Sequence, residues 1–126
     1  MMKQTEKNIL IVEDEPGSAE SLAIGLKRSG YFPQIANSGK EGLRKLHERA
    51  FNFILCDINM PEMDGWEFAV KAKPLTSADF IFITADSRTN KKAEFISSPL
   101  LIKPIELYRI IELLNEKGGY ITKATR

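Results

Sequence analysis

Several residues that could do chemistry follow short apolar runs of this sequence. Glu13 and Asp14 follow the first run, Asp57 follows the third, Thr84 ends the fourth, and Lys103 follows the fifth. Taken singly, each is explained more simply: an acidic pair is usually a solvated turn, and a threonine after a strand usually reflects β-propensity. Their recurrence at the ends of successive runs favours one shared site.

The chemistry of such a set follows from its residue types. Three carboxylates placed close together repel one another, and an all-oxygen ligand set suits a hard divalent cation, Mg²⁺ first. His47 is the single histidine of the chain, so zinc has no ligand cluster. Lys103 offers a point charge and Thr84 a hydroxyl donor for a phosphoryl group. Asp57 could then act as a nucleophile and form an acyl phosphate.

Strands that alternate with helices would bring these residues together. The apolar runs predict five strands, at Asn8–Val12, Tyr31–Ala36, Phe53–Cys56, Phe80–Thr84 and Leu100–Ile102. Between and after them, the patterns predict helices at Ser18–Ser29, Lys40–Arg49, Gly65–Lys73 and Ile105–Glu116, and at best a short helix at Ser87–Ile96. This alternation predicts a parallel sheet with helices on both faces, whose strands share one carboxyl edge.

Size and composition favour one ordinary globular domain. The chain has 126 residues, is 43% hydrophobic and carries a formal net charge of +1, which gives no electrostatic signal for nucleic acid or a membrane surface. Its single cysteine, Cys56, is read as a core residue and suits a reducing, cytoplasmic compartment. We predict one domain over residues 1–119 and a tail or start of a linker over residues 120–126.

The chain resembles the receiver domain of two-component response regulators from about Asn8 to Glu116. The match is carried by four stretches, which are Val12–Glu15, Asp57–Gly65 (with the pattern Asp-x-x-Met-Pro-x-Met-Asp-Gly), Ile83–Ala85 and Ile102–Pro104. The resemblance implies a chemotaxis-regulator-like α/β fold, a five-stranded parallel doubly wound sheet of the flavodoxin-like order 2-1-3-4-5.

The resemblance also implies a role for each site residue. Asp57 would accept a phosphoryl group from a histidine kinase or phosphotransfer protein. Glu13, Asp14 and Asp57 would hold Mg²⁺ together with the backbone carbonyl of Asn59. Lys103 would contact the phosphoryl group.

Two further positions matter for the switch. Thr84 would be the hydroxyl that moves toward the phosphoryl group, beside the Ala85 N–H, and Pro104 would follow a cis peptide bond. The chain would act as a signalling switch in the cytoplasm, with an unknown downstream partner and homodimerisation left open. We expect it to catalyse only its own phosphorylation and dephosphorylation, with no direct contact to nucleic acid or membrane.

The sequence departs from the family pattern before the fifth strand. Leu100 stands three residues before Lys103, where many members carry an aromatic switch residue. The span from Thr84 to Lys103 is short for the family, and Ser97–Ser98–Pro99 replaces the usual Gly–Ala. We therefore expect a shortened or irregular fourth helix.

Two alternatives stay open at this point. A phosphatase of the haloacid dehalogenase type also uses a strand-end aspartate, a threonine or serine and a lysine, but it normally needs an acid at the position of Asn59. A receiver-fold scaffold that works without phosphorylation is the other alternative.

Overall fold

A computed structural model gives the structure of this protein and describes residues 7–118. The five strands are β1 (Asn8–Val12), β2 (Phe32–Ala36), β3 (Phe53–Asp57), β4 (Asp79–Thr84) and β5 (Leu100–Ile102). They form one parallel sheet in the order β2-β1-β3-β4-β5. The predicted sheet and strand order are confirmed, and each predicted strand begins and ends within one residue of its position in the structure.

Within residues 7–118, four α-helices cover the two faces of the sheet. They are α1 (Pro16–Arg28), α2 (Gly39–Glu48), α3 (Gly65–Ala72) and α4 (Leu107–Gly118). A 3₁₀ turn at Lys73–Leu75 follows α3. Two helices begin away from their predicted positions. α1 begins at Pro16 rather than Ser18, and proline suits a first helical turn; α4 begins at Leu107 rather than Ile105. The predicted tail at residues 120–126 lies outside the described residues.

Alternate residues of each central strand enter one of two cores. Leu10, Ile54 and Phe82 pack with α2 and α3 on one face. Ile11 and Leu55 pack with α1 and α4 on the other face. The central strands are apolar on both sides because both of their faces are buried, as in doubly wound sheets.

Local signals set where several helices start and stop. Ser38 caps α2 by accepting from the Glu41 N–H, and Asp64 caps α3 by accepting from the Glu67 N–H. Asp64 is therefore the N-cap of α3. Gly30 follows α1 with φ +94°, a backbone conformation that glycine adopts at little cost, and the chain turns there into β2.

The connection from β4 to β5 departs most from regular structure. Residues 85–99, all described, contain no α-helix and only one 3₁₀ turn at Ala93–Phe95. The prediction of a shortened or irregular helix between β4 and β5 is confirmed. Phe95 fills the space, since its buried ring lies 5.3 Å from Phe82 and 6.2 Å from Trp66 between ring centroids. Leu100 packs against the edge of the same core.

Candidate functional site

Asp57 stands at the carboxyl end of the central strand β3 and is almost completely buried, with 4% of its surface exposed. Its Oδ1 accepts the backbone N–H of Asn59 at 2.8 Å, and its Oδ2 accepts from Lys103 Nζ at 2.9 Å. These bonds fix both carboxylate oxygens. A nucleophile at this position would thus be oriented before any substrate arrives.

Glu13 and Asp14 come to the same point from the end of β1. One carboxylate oxygen from each of Glu13, Asp14 and Asp57 lies within 4.8 Å of the others. Glu13 is buried and Asp14 is half-buried. The Glu13 carboxylate also lies 3.4 Å from Lys103 Nζ, and its other oxygen accepts the Glu15 N–H at 3.2 Å. Lys103 thus contacts two of the three clustered acids, Glu13 and Asp57.

Burial and mutual repulsion change the pKa values in this cluster. The pKa of Glu13 is raised to about 7, with burial as the largest cause and the hydrogen bond and negative charge of Asp57 adding to it, while the Glu15 N–H and the charge of Lys103 oppose the rise. Partial burial lowers the pKa of Lys103, but the hydrogen bond and charge of Asp57 outweigh it with help from Glu13, so the pKa is raised overall. The ammonium is therefore kept charged beside Asp57.

The donor set fits a hard divalent cation. All of the clustered side-chain ligands are carboxylate oxygens, and Lys103 compensates only part of their charge when all three are ionised. A divalent cation would supply the missing positive charge and accept this ligand type. The raised pKa of Glu13 is consistent with this shortage of positive charge, because a buried acid beside another carboxylate holds its proton more tightly.

Thr84 ends β4 on the other side of Asp57 and is fully buried. Its hydroxyl oxygen lies 2.9 Å from Asn59 Oδ1 and 3.0 Å from the hydroxyl oxygen of Thr89. The Asp86 N–H donates to it at 3.1 Å. The Ala85 N–H donates to Asn59 Oδ1 at 3.3 Å.

Sequence reasoning found most of this site but not all of it. The structure brings together the predicted residues Glu13, Asp14, Asp57, Asn59, Thr84 and Lys103 at one edge of the sheet. It also shows the predicted cis peptide bond between Lys103 and Pro104. The Asn59 side chain and Thr89 were missed as partners of Thr84. Asn59 carried a signal in its spacing from Asp57, whereas Thr89 lies in an irregular segment without one.

A cavity of about 720 Å³ opens beside the cluster. Glu13 and Lys103 form its polar end, and Leu22, Ile105 and Leu107 give it an apolar wall between α1 and the start of α4. Asp57 is almost fully buried and does not line this cavity.

The arrangement matches a known family over most of the chain. A family model described as the response regulator receiver domain matches residues 9–115. The chain belongs to this family. Among solved structures, a receiver domain protein from Methanospirillum hungatei is 32% identical with a TM-score of 0.80, and 89% of this chain and 93% of that one are covered. TrrA from Thermotoga maritima, solved with Mg²⁺ and BeF, is 26% identical with a TM-score of 0.76, covering 90% and 99%.

Curated relatives of this receiver domain are longer proteins. The transcriptional regulatory protein ZraR of Klebsiella oxytoca is 33% identical over 91% of this chain and 27% of its own length. The response regulator ArlR of Staphylococcus epidermidis is 30% identical over 82% of this chain and 49% of its own length. The chain thus spans at most about half of these two relatives. In the described part of the receiver domain, no helix has the length and apolar character needed to cross a membrane.

Proposed function

We propose that this receiver domain is a phosphoacceptor switch in which Asp57 takes a phosphoryl group. The observation that carries the proposal is the buried Asp57 carboxylate, held at 2.9 Å by Lys103 and grouped with two further acids at the carboxyl edge of the sheet. Membership in the response regulator family supports the same role. A histidine kinase or phosphotransfer protein would be the donor.

The residues divide the reaction among them. An Asp57 oxygen attacks phosphorus, the bond to the donor nitrogen breaks, and that nitrogen keeps the bonding electron pair. Lys103 balances the charge that builds up on the phosphoryl oxygens. The Thr84 hydroxyl and the Ala85 N–H would donate to one of these oxygens. Hydrolysis of the acyl phosphate would return Asp57 to its starting state.

Mg²⁺ is the cofactor of the proposal. Glu13, Asp14 and Asp57 would hold it, with the Asn59 backbone carbonyl as a further ligand. When bound, Mg²⁺ neutralises phosphoryl charge and orients the transferring group. Lys103 would contribute one positive charge on a flexible side chain, so its ammonium group could stay close to a phosphoryl oxygen during transfer.

The proposal extends to partners and location. We place the domain at residues 1–119 and in the cytoplasm, where a buried, unpaired Cys56 is compatible with reducing conditions. Its output would go to a downstream protein or effector domain, or pass through a homodimer. It would catalyse no reaction beyond its own phosphorylation and dephosphorylation.

The test is phosphorylation of the purified chain by acetyl phosphate with Mg²⁺, followed by intact-mass measurement. We expect a gain of one phosphoryl group that is stable in acid and labile in base. Asp57→Asn should abolish it. Asp79→Asn is the matched control, because Asp79 is exposed at the opposite end of β4.

Other results would favour the alternatives. Repeated turnover of phosphomonoesters would indicate a phosphatase. A chain that neither gains a phosphoryl group nor binds Mg²⁺ would be a scaffold.

A further inference from the structure

The Thr84 hydroxyl uses its whole hydrogen-bonding capacity. A hydroxyl carries one proton and can accept two hydrogen bonds. The proton goes to Asn59 Oδ1 at 2.9 Å, since that oxygen can only accept, and the Asp86 N–H donates to Thr84 at 3.1 Å. The third partner, the Thr89 hydroxyl at 3.0 Å, must therefore be the donor in its bond to Thr84.

The Asn59 amide oxygen accepts hydrogen bonds from the two donors that would otherwise bind the proposed phosphoryl group. It accepts from the Thr84 hydroxyl and from the Ala85 N–H at 3.3 Å. The second donor also fixes the orientation of the amide, because an NH₂ group facing the Ala85 N–H would leave that N–H without an acceptor. A phosphoryl oxygen on Asp57 and Asn59 Oδ1 would thus compete for the single proton of Thr84.

Thr89 joins Thr84 to the irregular segment between β4 and β5. Its N–H donates to the Asp86 carbonyl at 3.1 Å, which closes a turn next to Thr84. Further along, Lys91 Nζ donates to the Ile96 carbonyl at 3.0 Å. The segment Ser87–Ile96 ends with the Phe95 ring packed against Trp66 and Phe82. One hydrogen bond thus joins Thr84 to a segment whose far end carries the packed Phe95 ring.

We propose that Asn59 and Thr89 are the positioning residues of the switch, an inference that rests on the proposed phosphorylation of Asp57. In the unphosphorylated chain, the Asn59 amide holds Thr84. After phosphorylation the Thr84 proton goes to the phosphoryl oxygen, and Thr89 stays bonded to Thr84 and draws the segment Ser87–Ile96 toward the site. The segment then carries the signal that an aromatic residue at Leu100 would otherwise carry.

The test uses beryllofluoride with Mg²⁺ as a phosphoryl mimic. Binding at Asp57 is followed by fluorine NMR. Movement of the segment is followed by hydrogen exchange at the Phe95 and Ile96 amides and by the fluorescence of Trp66, the single tryptophan of the chain. We expect Thr89→Val to bind beryllofluoride within about twofold of the unaltered chain but to lose the exchange and fluorescence responses, and Thr89→Ser to restore both.

A matched control and a second variant sharpen the test. Thr76 is also half-buried and its hydroxyl accepts the Ala78 N–H at 3.0 Å, so Thr76→Val should keep every response. Asn59→Ala removes the competing acceptor and should bind beryllofluoride about 2- to 10-fold more tightly, the range expected for one neutral hydrogen bond.

The outcomes separate this inference from the proposed function. If Thr89→Val keeps the full response of the segment, or Asn59→Ala binds no more tightly, the inference is wrong while the phosphoacceptor role stands. If the unaltered chain shows no Asp57-dependent beryllofluoride signal, the proposed function is wrong and the inference with it.

Discussion

The ionisation of Glu13 should make the metal-free chain less stable as the pH rises. The pKa of Glu13 is about 7 in the folded chain against an ordinary value of 4.5. Between these two values the folded chain holds the proton more tightly than the unfolded chain does. Protonation therefore favours folding at low pH, and this contribution is lost as the pH rises through about 7.

The size of the effect follows from the two pKa values. A difference between 4.5 and about 7 corresponds to about 3 kcal/mol in total. Part of that range is already passed at pH 5, so the contribution lost between pH 5 and pH 8 is roughly 2 to 3 kcal/mol. Glu13→Gln keeps the shape of the side chain and removes the ionisation. The free energy of unfolding of this variant, relative to the unaltered chain, should rise by that amount over the same interval.

Urea unfolding in EDTA at pH 5, 6, 7 and 8, followed by Trp66 fluorescence, measures the effect. Glu20 is exposed on α1, so Glu20→Gln is the matched control and should show no such pH-dependent gain. Added Mg²⁺ should recover stability at pH 8 in the unaltered chain, because a ligand that binds only the folded state stabilises it. A difference between Glu13→Gln and the unaltered chain that stays constant from pH 5 to pH 8 would refute the reasoning.

Three further predictions concern the surroundings of the site. Gly65→Ala should lower the free energy of unfolding by about 2 kcal/mol or more, measured in urea, because its Cβ would clash with the Asp57 carbonyl oxygen. Gly17→Ala, with nothing within 4 Å of its Cβ, should not. Phe95→Ala should lower the free energy of unfolding by about 3–5 kcal/mol, measured by thermal unfolding, because it leaves a cavity where a buried aromatic ring packed. Lys103→Met should bind Mg²⁺ roughly tenfold more tightly by calorimetry but should no longer bind beryllofluoride, since it removes the cation that pairs with Glu13 and Asp57. Unchanged or weaker Mg²⁺ binding would contradict this.

The sequence determined the central part of this protein because its signals there are local. Apolar runs bounded by polar residues marked β1, β3 and β4, and the residue that follows a buried parallel strand must stand at the carboxyl edge of the sheet. That rule was enough to bring Asp57, Glu13 and Lys103 together. The N-cap role of Asp64 also rests on a local signal, because an N-cap bonds to the backbone only three residues further on.

Tertiary structure decided what depends on residues distant in sequence or on an irregular backbone. The raised pKa of Glu13 comes from burial and from Asp57, and neither can be read from the residues around Glu13. Phe95 becomes a core residue because the short β4–β5 connection folds it onto Trp66. The polar sequence around Phe95 has no hydrophobic periodicity that would predict this contact. The bond from Thr89 to Thr84 depends on the turn that starts at Asp86, and only the folded backbone closes that distance.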